Sequence, residues 1–194
     1  ASILNEAVGS SFGRVQLSYC KNFPNVVYAM MEGRGFSDPC AGFYRSSDSG
    51  KTFIKKEVPT SIASGYNLYC QMLGAHPSDT NKVVSGGVRI AQSNNGGLTW
   101  SSKNTGHSDH HAFYPFKNSD AYLIGTDGGM YRYTWSSKTA APRNTGYKVT
   151  QFYAGAFAPD GFGGIAGTQD NGAHYQYGNL TGRKINGGDG AFCH

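Results

Sequence analysis

Apolar residues in this chain fall in short runs closed by Gly, Pro or Asx-Gly turns, and no stretch carries the 3.6-residue spacing of a long amphipathic helix. Four runs end at a proline: Tyr19 to Pro24, Met72 to Pro77, His111 to Pro115 and Gly155 to Pro159. A proline closes a strand because it cannot donate to the next ladder, so these runs predict first strands. A second apolar run follows each one: Val26 to Ala29, Val83 to Gly86, Tyr122 to Gly125 and Gly164 to Gly167. Glycines then lead into a third, at Gly42 to Arg45, Val88 to Ala91, Gly129 to Arg132 and Gly172 to Tyr175. The prolines at 24, 77, 115 and 159 recur at intervals of 53, 38 and 44 residues. That is the period of a four-stranded unit.

Two turns between third and fourth strands share one pattern, S-x-[D/N]-x-G-x-T-[F/W]. The first comprises Ser46, Asp48, Gly50, Thr52 and Phe53, and the second Ser93, Asn95, Gly97, Thr99 and Trp100. The Asp or Asn side chain caps backbone N–H groups of its own turn, the Gly supplies a positive φ, and the aromatic starts the next strand. Pro, Gly and this turn recur in the same order, which favours an all-β propeller of four-stranded antiparallel blades over a β-sandwich with similar turn spacing. The blade units run approximately 9–55, 64–103, 107–138 and 150–180, with Gly9 to Leu17 as the innermost strand of the first. A further first strand falls at 186–194. About four blades plus one strand form a segment of a larger propeller, so the remaining blades are expected in a longer polypeptide.

Composition narrows the partners. With 28 Gly, 13 Tyr and 11 Phe but only 15% charged residues, the 194-residue chain suits short strands and tight turns. The net charge of +5 is spread thinly and its adjacent basic pairs are Lys55-Lys56 and Arg183-Lys184, so no stripe tracks a phosphate backbone and no nucleic acid is expected. No apolar run reaches the length of a membrane span, so no membrane insertion is expected either. Cys20, Cys40, Cys70 and Cys193 lack C-x-x-C spacing, which argues against a zinc ribbon or a thioredoxin-like redox motif while leaving both a disulfide and free thiols open.

The paired turns resemble the Asp-box, or BNR, repeat of sialidases, sortilin-type receptors and xyloglucanase-type glycoside hydrolases. The succession from Asp109 to Phe113, Gly125 to Arg132, Gln151 to Tyr153, Gly167 to Gly172 and Gly187 to Gly190 is similar to bacterial sortilin-like and BNR-repeat proteins of the cell surface and secretome. The resemblance implies an extracellular or cell-surface location and a polysaccharide or surface-protein partner. Xyloglucanase-type hydrolases carry a T-D-x-G-G-x-Y-R segment with a catalytic Asp. The segment from Thr126 to Arg132 is similar, one residue shorter, and implies a role for Asp127. A purely structural module of a surface filament or adhesin is a third class.

Blade geometry sorts the loops. The Asp boxes lie on one rim, and the connections between strands two and three, and from strand four to the next strand one, lie on the other. That second rim collects His107, Asp109 and His111, which a continuous strand would place on one face. Same-face side chains are about 6–7 Å apart, wide for one ion, so a hydrogen-bonded cluster is favoured over a divalent cation and no cofactor is expected. Equivalent turns add Asp127 in one blade and Gln169, Asp170 and Asn171 in the next, and Asp189 joins from the following segment. These residues, with Tyr131, Phe152, Tyr153 and Tyr175 as stacking candidates, predict a glycan-binding rim. A glycosidase needs two carboxylates flanking the scissile bond, for which Asp127 and Asp170 are the candidates. Asn179-Leu180-Thr181 is a formal glycosylation sequon.

Overall fold

The computed structural model describes residues 13–33, 40–59, 69–117, 119–147, 150–178 and 182–193. Among these there is no helix, and the strands form four antiparallel four-stranded sheets. The first sheet contains β1 (Val15–Cys20), β2 (Phe23–Glu32), β3 (Cys40–Ser46) and β4 (Ile54–Lys56), each paired to the next in sequence. The second contains β5 (Met72–Ala75), β6 (Val83–Gly86), β7 (Ile90–Ser93) and β8 (Ser101–Lys103). The third is β9 (His110–Pro115), β10 (Ala121–Thr126), β11 (Gly129–Thr134) and β12 (Thr139–Pro142), and the fourth β13 (Phe152–Phe157), β14 (Gly163–Thr168), β15 (Ala173–Tyr177) and β16 (Arg183–Lys184). Such four-stranded meanders are β-propeller blades.

The chain falls into two compact units, 1–143 with three blades and 144–194 with one. In the first unit the innermost strands β1, β5 and β9 are neighbours. Period-two alternation gives a blade two apolar faces, and the second blade has both of them covered by its neighbours. Tyr28, Met30 and Phe43 of the first blade pack against Leu73, Ala75, Val83 and Ala91 of the second. The opposite face of the second, with Met72, Val84 and Ile90, packs against Tyr122, Ile124, Tyr133 and Trp135 of the third. Burying each large side chain at these seams contributes about 2 kcal/mol. Gly74 permits the close approach: the Phe113 ring occupies the space where a Cβ would stand. In the second unit the sheet stands with Phe157 88% exposed and Phe162 68% exposed.

Three expectations change. The first blade's innermost strand runs over Val15–Cys20 and so continues past the expected end at Leu17, and the chain reverses at Lys21 and Asn22, so Pro24 lies inside β2 instead of closing β1. Residues 1–12 and the sequon at 179–181 lie outside the described residues. Residues 186–193 form no strand. Asp189 makes a single parallel bridge to Gly172, and Gly190 N–H donates to Thr168 O at 2.8 Å, which ties the segment to the fourth blade's own turn. No disulfide forms among the described residues, and the Cys20 thiol donates to His76 O at 2.9 Å.

The two S-x-[D/N]-x-G-x-T turns share a hydrogen-bond plan. Ser46 Oγ accepts from Gly50 N–H and Ser93 Oγ from Gly97 N–H, both at 2.9 Å. Asp48 Oδ1 and Asn95 Oδ1 each accept the N–H of the Thr four residues on, at 2.9 Å. The Thr hydroxyl then adapts. Thr52 donates to Asp48 Oδ2 at 2.6 Å, whereas Thr99 accepts from Asn95 Nδ2 at 2.8 Å, because a hydroxyl does either and a carboxylate only accepts. Hydrogen bonds from the Thr52 side chain and N–H, and from Ser46, hold the Asp48 carboxyl well below its usual range. Gly97 sits at φ +86° with the Phe43 ring where a Cβ would be, so no other residue fits there.

Replacing fully buried Ser46 by Ala leaves the Gly50 N–H without its acceptor and is expected to cost about 1–3 kcal/mol in urea denaturation. Exposed Ser47→Ala is expected to change stability by less than about 0.5 kcal/mol. Equal effects of the two would show that the Ser46 hydroxyl does not organise the turn.

Candidate functional site

In the first unit the rim opposite these turns is organised by the linker between β8 and β9. Its residues 104–109 run past the β6–β7 hairpin of the preceding blade, and Asp109 N–H donates to Val88 O and His110 N–H to Gly87 O, at 3.4 and 2.9 Å. Asp109 has φ +59°, a conformation that Asp tolerates better than most residues. The kink ends the expected alternation. His107 lies before the strand, which begins only at His110, and the ligand atoms of His107, Asp109 and His111 do not gather within reach of one ion.

His110 anchors this linker. It is 1% exposed; its Nδ1 lies 2.8 Å from Gly87 O and its Nε2 2.6 Å from Thr105 Oγ1. A carbonyl only accepts, so Nδ1 carries a proton, and in the neutral ring Nε2 accepts the Thr105 hydroxyl proton. Burial pushes the His110 pKa down, against an opposing hydrogen bond to Gly87. The His107 ring packs in the space where Gly128 lacks a Cβ.

Beyond the kink, Asp109 and Asp127 organise a polar cluster. His111 Nε2 donates to Asp127 Oδ1 at 2.8 Å, since a carboxylate cannot donate. The Cys70 thiol donates to Asp109 Oδ1 at 3.5 Å, and Asp127 N–H donates to Asp109 O at 3.3 Å. The Tyr69 ring meets the His111 ring edge-on at 5.4 Å and is 67% exposed. Burial first, then the Asp109 and Asp127 charges, push the Cys70 thiol up to about 12. Cys70 is therefore a hydrogen-bond donor at neutral pH and not a thiolate nucleophile.

Beside the cluster, on the other side of His107, lies an open cleft of about 430 Å³. Val88, Arg89, Lys103, Asn104, Thr105 and His107 are among its lining residues. Tyr69, Cys70, Arg89 and Lys103 were not among the residues anticipated from sequence. The loop rule that selected His107 applies equally to Arg89, in the connection between strands two and three, and to Lys103, at the end of strand four.

The second unit carries the other anticipated residues. Asp189 Oδ1 accepts from Gln169 Nε2 at 3.1 Å and from Asp170 N–H at 3.0 Å. Asn171 Nδ2 donates to Gln169 O at 3.2 Å, and His174 Nε2 lies 3.1 Å from Asn171 O. Asp170 adopts φ +59°, like Asp109. Gln169, Asn171 and Asp189 thus stabilise their own turn. Among the aromatic candidates, Tyr153 stacks on Phe192 at 6.2 Å, Phe152 meets the His174 ring, Tyr131 fills the space beside Gly106, and Tyr175 is 42% exposed. Asp127 belongs to the first unit and Asp170 to the second.

Fold and rim together define an all-β protein of propeller blades. No family model matches the chain, and no curated protein matches its sequence. Among solved structures it is similar to YCF48 bound to D1 peptide, at 11% identity over 92% of this chain and 55% of that one, with a TM-score of 0.48. It is similar to the GH74 enzyme of Niastella koreensis at 15% identity over 87% of this chain and 24% of that one, TM-score 0.48. YCF48 from Cyanidioschyzon merolae is similar at 11% identity over 92% and 58%, TM-score 0.45. The chain thus spans 55% and 58% of the two YCF48 chains and 24% of the GH74 enzyme.

Burial depresses the pKa of His76 as well as that of His110, from an ordinary value of 6.5. The unfolded chain therefore takes up protons first as pH falls, and stability declines below about pH 6.5 until the folded rings protonate too. Urea midpoints are expected to drop between about pH 7.5 and about pH 5.5. A flat profile over that interval would contradict the neutral, buried assignment.

Proposed function

We propose that this chain belongs to an extracellular or cell-surface propeller of Asp-box type that binds a polysaccharide through the rim opposite the Ser46 and Ser93 turns. One observation carries the reading. Tyr69 presents an exposed ring beside a fixed row of polar groups: Asp109 holding the Cys70 thiol, and Asp127 holding His111. An aromatic face covers the apolar face of a sugar ring, and ordered carboxylates accept its hydroxyl protons. Further blades in a longer polypeptide complete the rim, and the turns on the far side contribute to architecture alone.

Hydrolysis of a xyloglucan or β-glucan is the second reading, favoured by the placement of Asp127 at the exposed rim with one oxygen fixed by His111. The two readings separate on a polysaccharide panel assayed for retention and for new reducing ends. Tyr69→Ala is expected to weaken retention about tenfold, the effect of losing roughly 1.4 kcal/mol of ring contact. Unchanged retention by Tyr69→Ala would remove the platform from the proposal. Reducing ends that appear with the native chain and vanish with Asp127→Asn would replace binding by hydrolysis.

A further inference from the structure

The cleft beside the cluster has a chemistry that a neutral sugar does not use. Two of its lining residues, Arg89 and Lys103, are basic, and no carboxylate and no Phe, Tyr or Trp lines it. Among the described residues neither cation forms an ion pair; those present involve Lys82 with Asp79 and Asp120, and His111 with Asp127. Lys103 is only partly exposed, and burial followed by the like charge of Lys138 lowers its pKa. Positive charges gathered without counter-charge focus a field into a concave surface and raise the local concentration of anions.

The remaining lining is polar. Ser102, Asn104 and Ser108 present hydroxyl and amide groups, while His110 and Thr105 beneath them are locked to each other. The floor is thus fixed, and the cations stand on it from two elements, the β6–β7 hairpin and the end of β8. A guanidinium takes a planar oxyanion through two parallel hydrogen bonds, and an ammonium adds a point charge.

We infer that the Arg89–Lys103 cleft is a subsite for an oxyanion substituent on a sugar, a carboxylate or a sulfate ester, so that the glycan bound at this rim is an acidic one. The inference rests on the glycan reading above and adds the class of ligand. The sugar carrying the oxyanion seats its hydroxyls against Asn104 and the two serines, and the chain continues past His107 toward Tyr69.

The test is retention of the full chain by immobilised polygalacturonate, dextran sulfate, xyloglucan and polyglutamate at fixed ionic strength. Polygalacturonate, dextran sulfate or both are expected to retain it, identifying the oxyanion, and xyloglucan much less. Arg89→Gln with Lys103→Gln is expected to lower affinity for the acidic glycan at least about tenfold. Lys21→Gln with Lys51→Gln removes the same charge at other exposed positions and is expected to change it by less than about twofold. Equal losses in the two double variants would reduce the effect to net charge and overturn the subsite. Xyloglucan bound as tightly as the acidic glycans, and unaffected by the cleft variant, would overturn it while leaving glycan binding intact. Cleft-dependent binding of polyglutamate without any glycan would overturn both readings in favour of an acidic protein partner.

Discussion

A four-stranded meander of short strands has two apolar faces and no way to cover either by itself. Everything else in the first unit follows from that requirement. The seam between the first two blades buries Tyr28, Met30 and Phe43, the seam between the second and third buries Ile90, Tyr122 and Tyr133, and the glycines and alanines between them set how closely the sheets approach. Because each inner strand lies against the next, the loops at their ends are carried to a common rim.

That rim inherits its rigidity from the seam. The linker entering the third blade is hydrogen-bonded to the β6–β7 hairpin of the second through Asp109, His110 and the His110 ring. A buried neutral imidazole satisfied on both nitrogens fixes the positions of Thr105 and Gly87, and with them the walls that carry Lys103 and Arg89. The acidic cluster around Asp109 and Asp127 stands on the other flank of the same linker. One segment therefore separates two surfaces of opposite charge, and its backbone holds both.

The architecture was legible in the sequence because its signals are local: proline stops, Gly pairs and a turn whose side chains bond within a few residues of themselves. Strands two and three fell where the repeat placed them, except that Val88 and Arg89 belong to the hairpin and not to β7, and Gly172 precedes β15. The errors arose where one residue's backbone changed the periodicity. Asp109 in the left-handed region breaks the alternation that grouped His107 with His111, and nothing in the residue type forces that φ. Residues 186–193 carry glycines suited to an inner strand, yet Asp189 finds its donors on the Gln169 turn and the segment stays there. The loop rule places Arg89 and Lys103 on this rim, but the cleft between them joins a hairpin tip to a strand end, and its concavity exists only once β7 and β8 are paired.

The second of the two turns that first mark the repeat also bonds across blades. Glu57 N–H of the first blade donates to Gly97 O, the Trp100 indole N–H reaches back to Glu57 O, and the Trp135 indole N–H of the third blade donates to Asn94 Oδ1. The same few residues close a hairpin and grip a neighbour. A duplicated blade would arrive with its own fastening, so a lineage could lengthen or shorten such an array by whole blades without inventing a new joint.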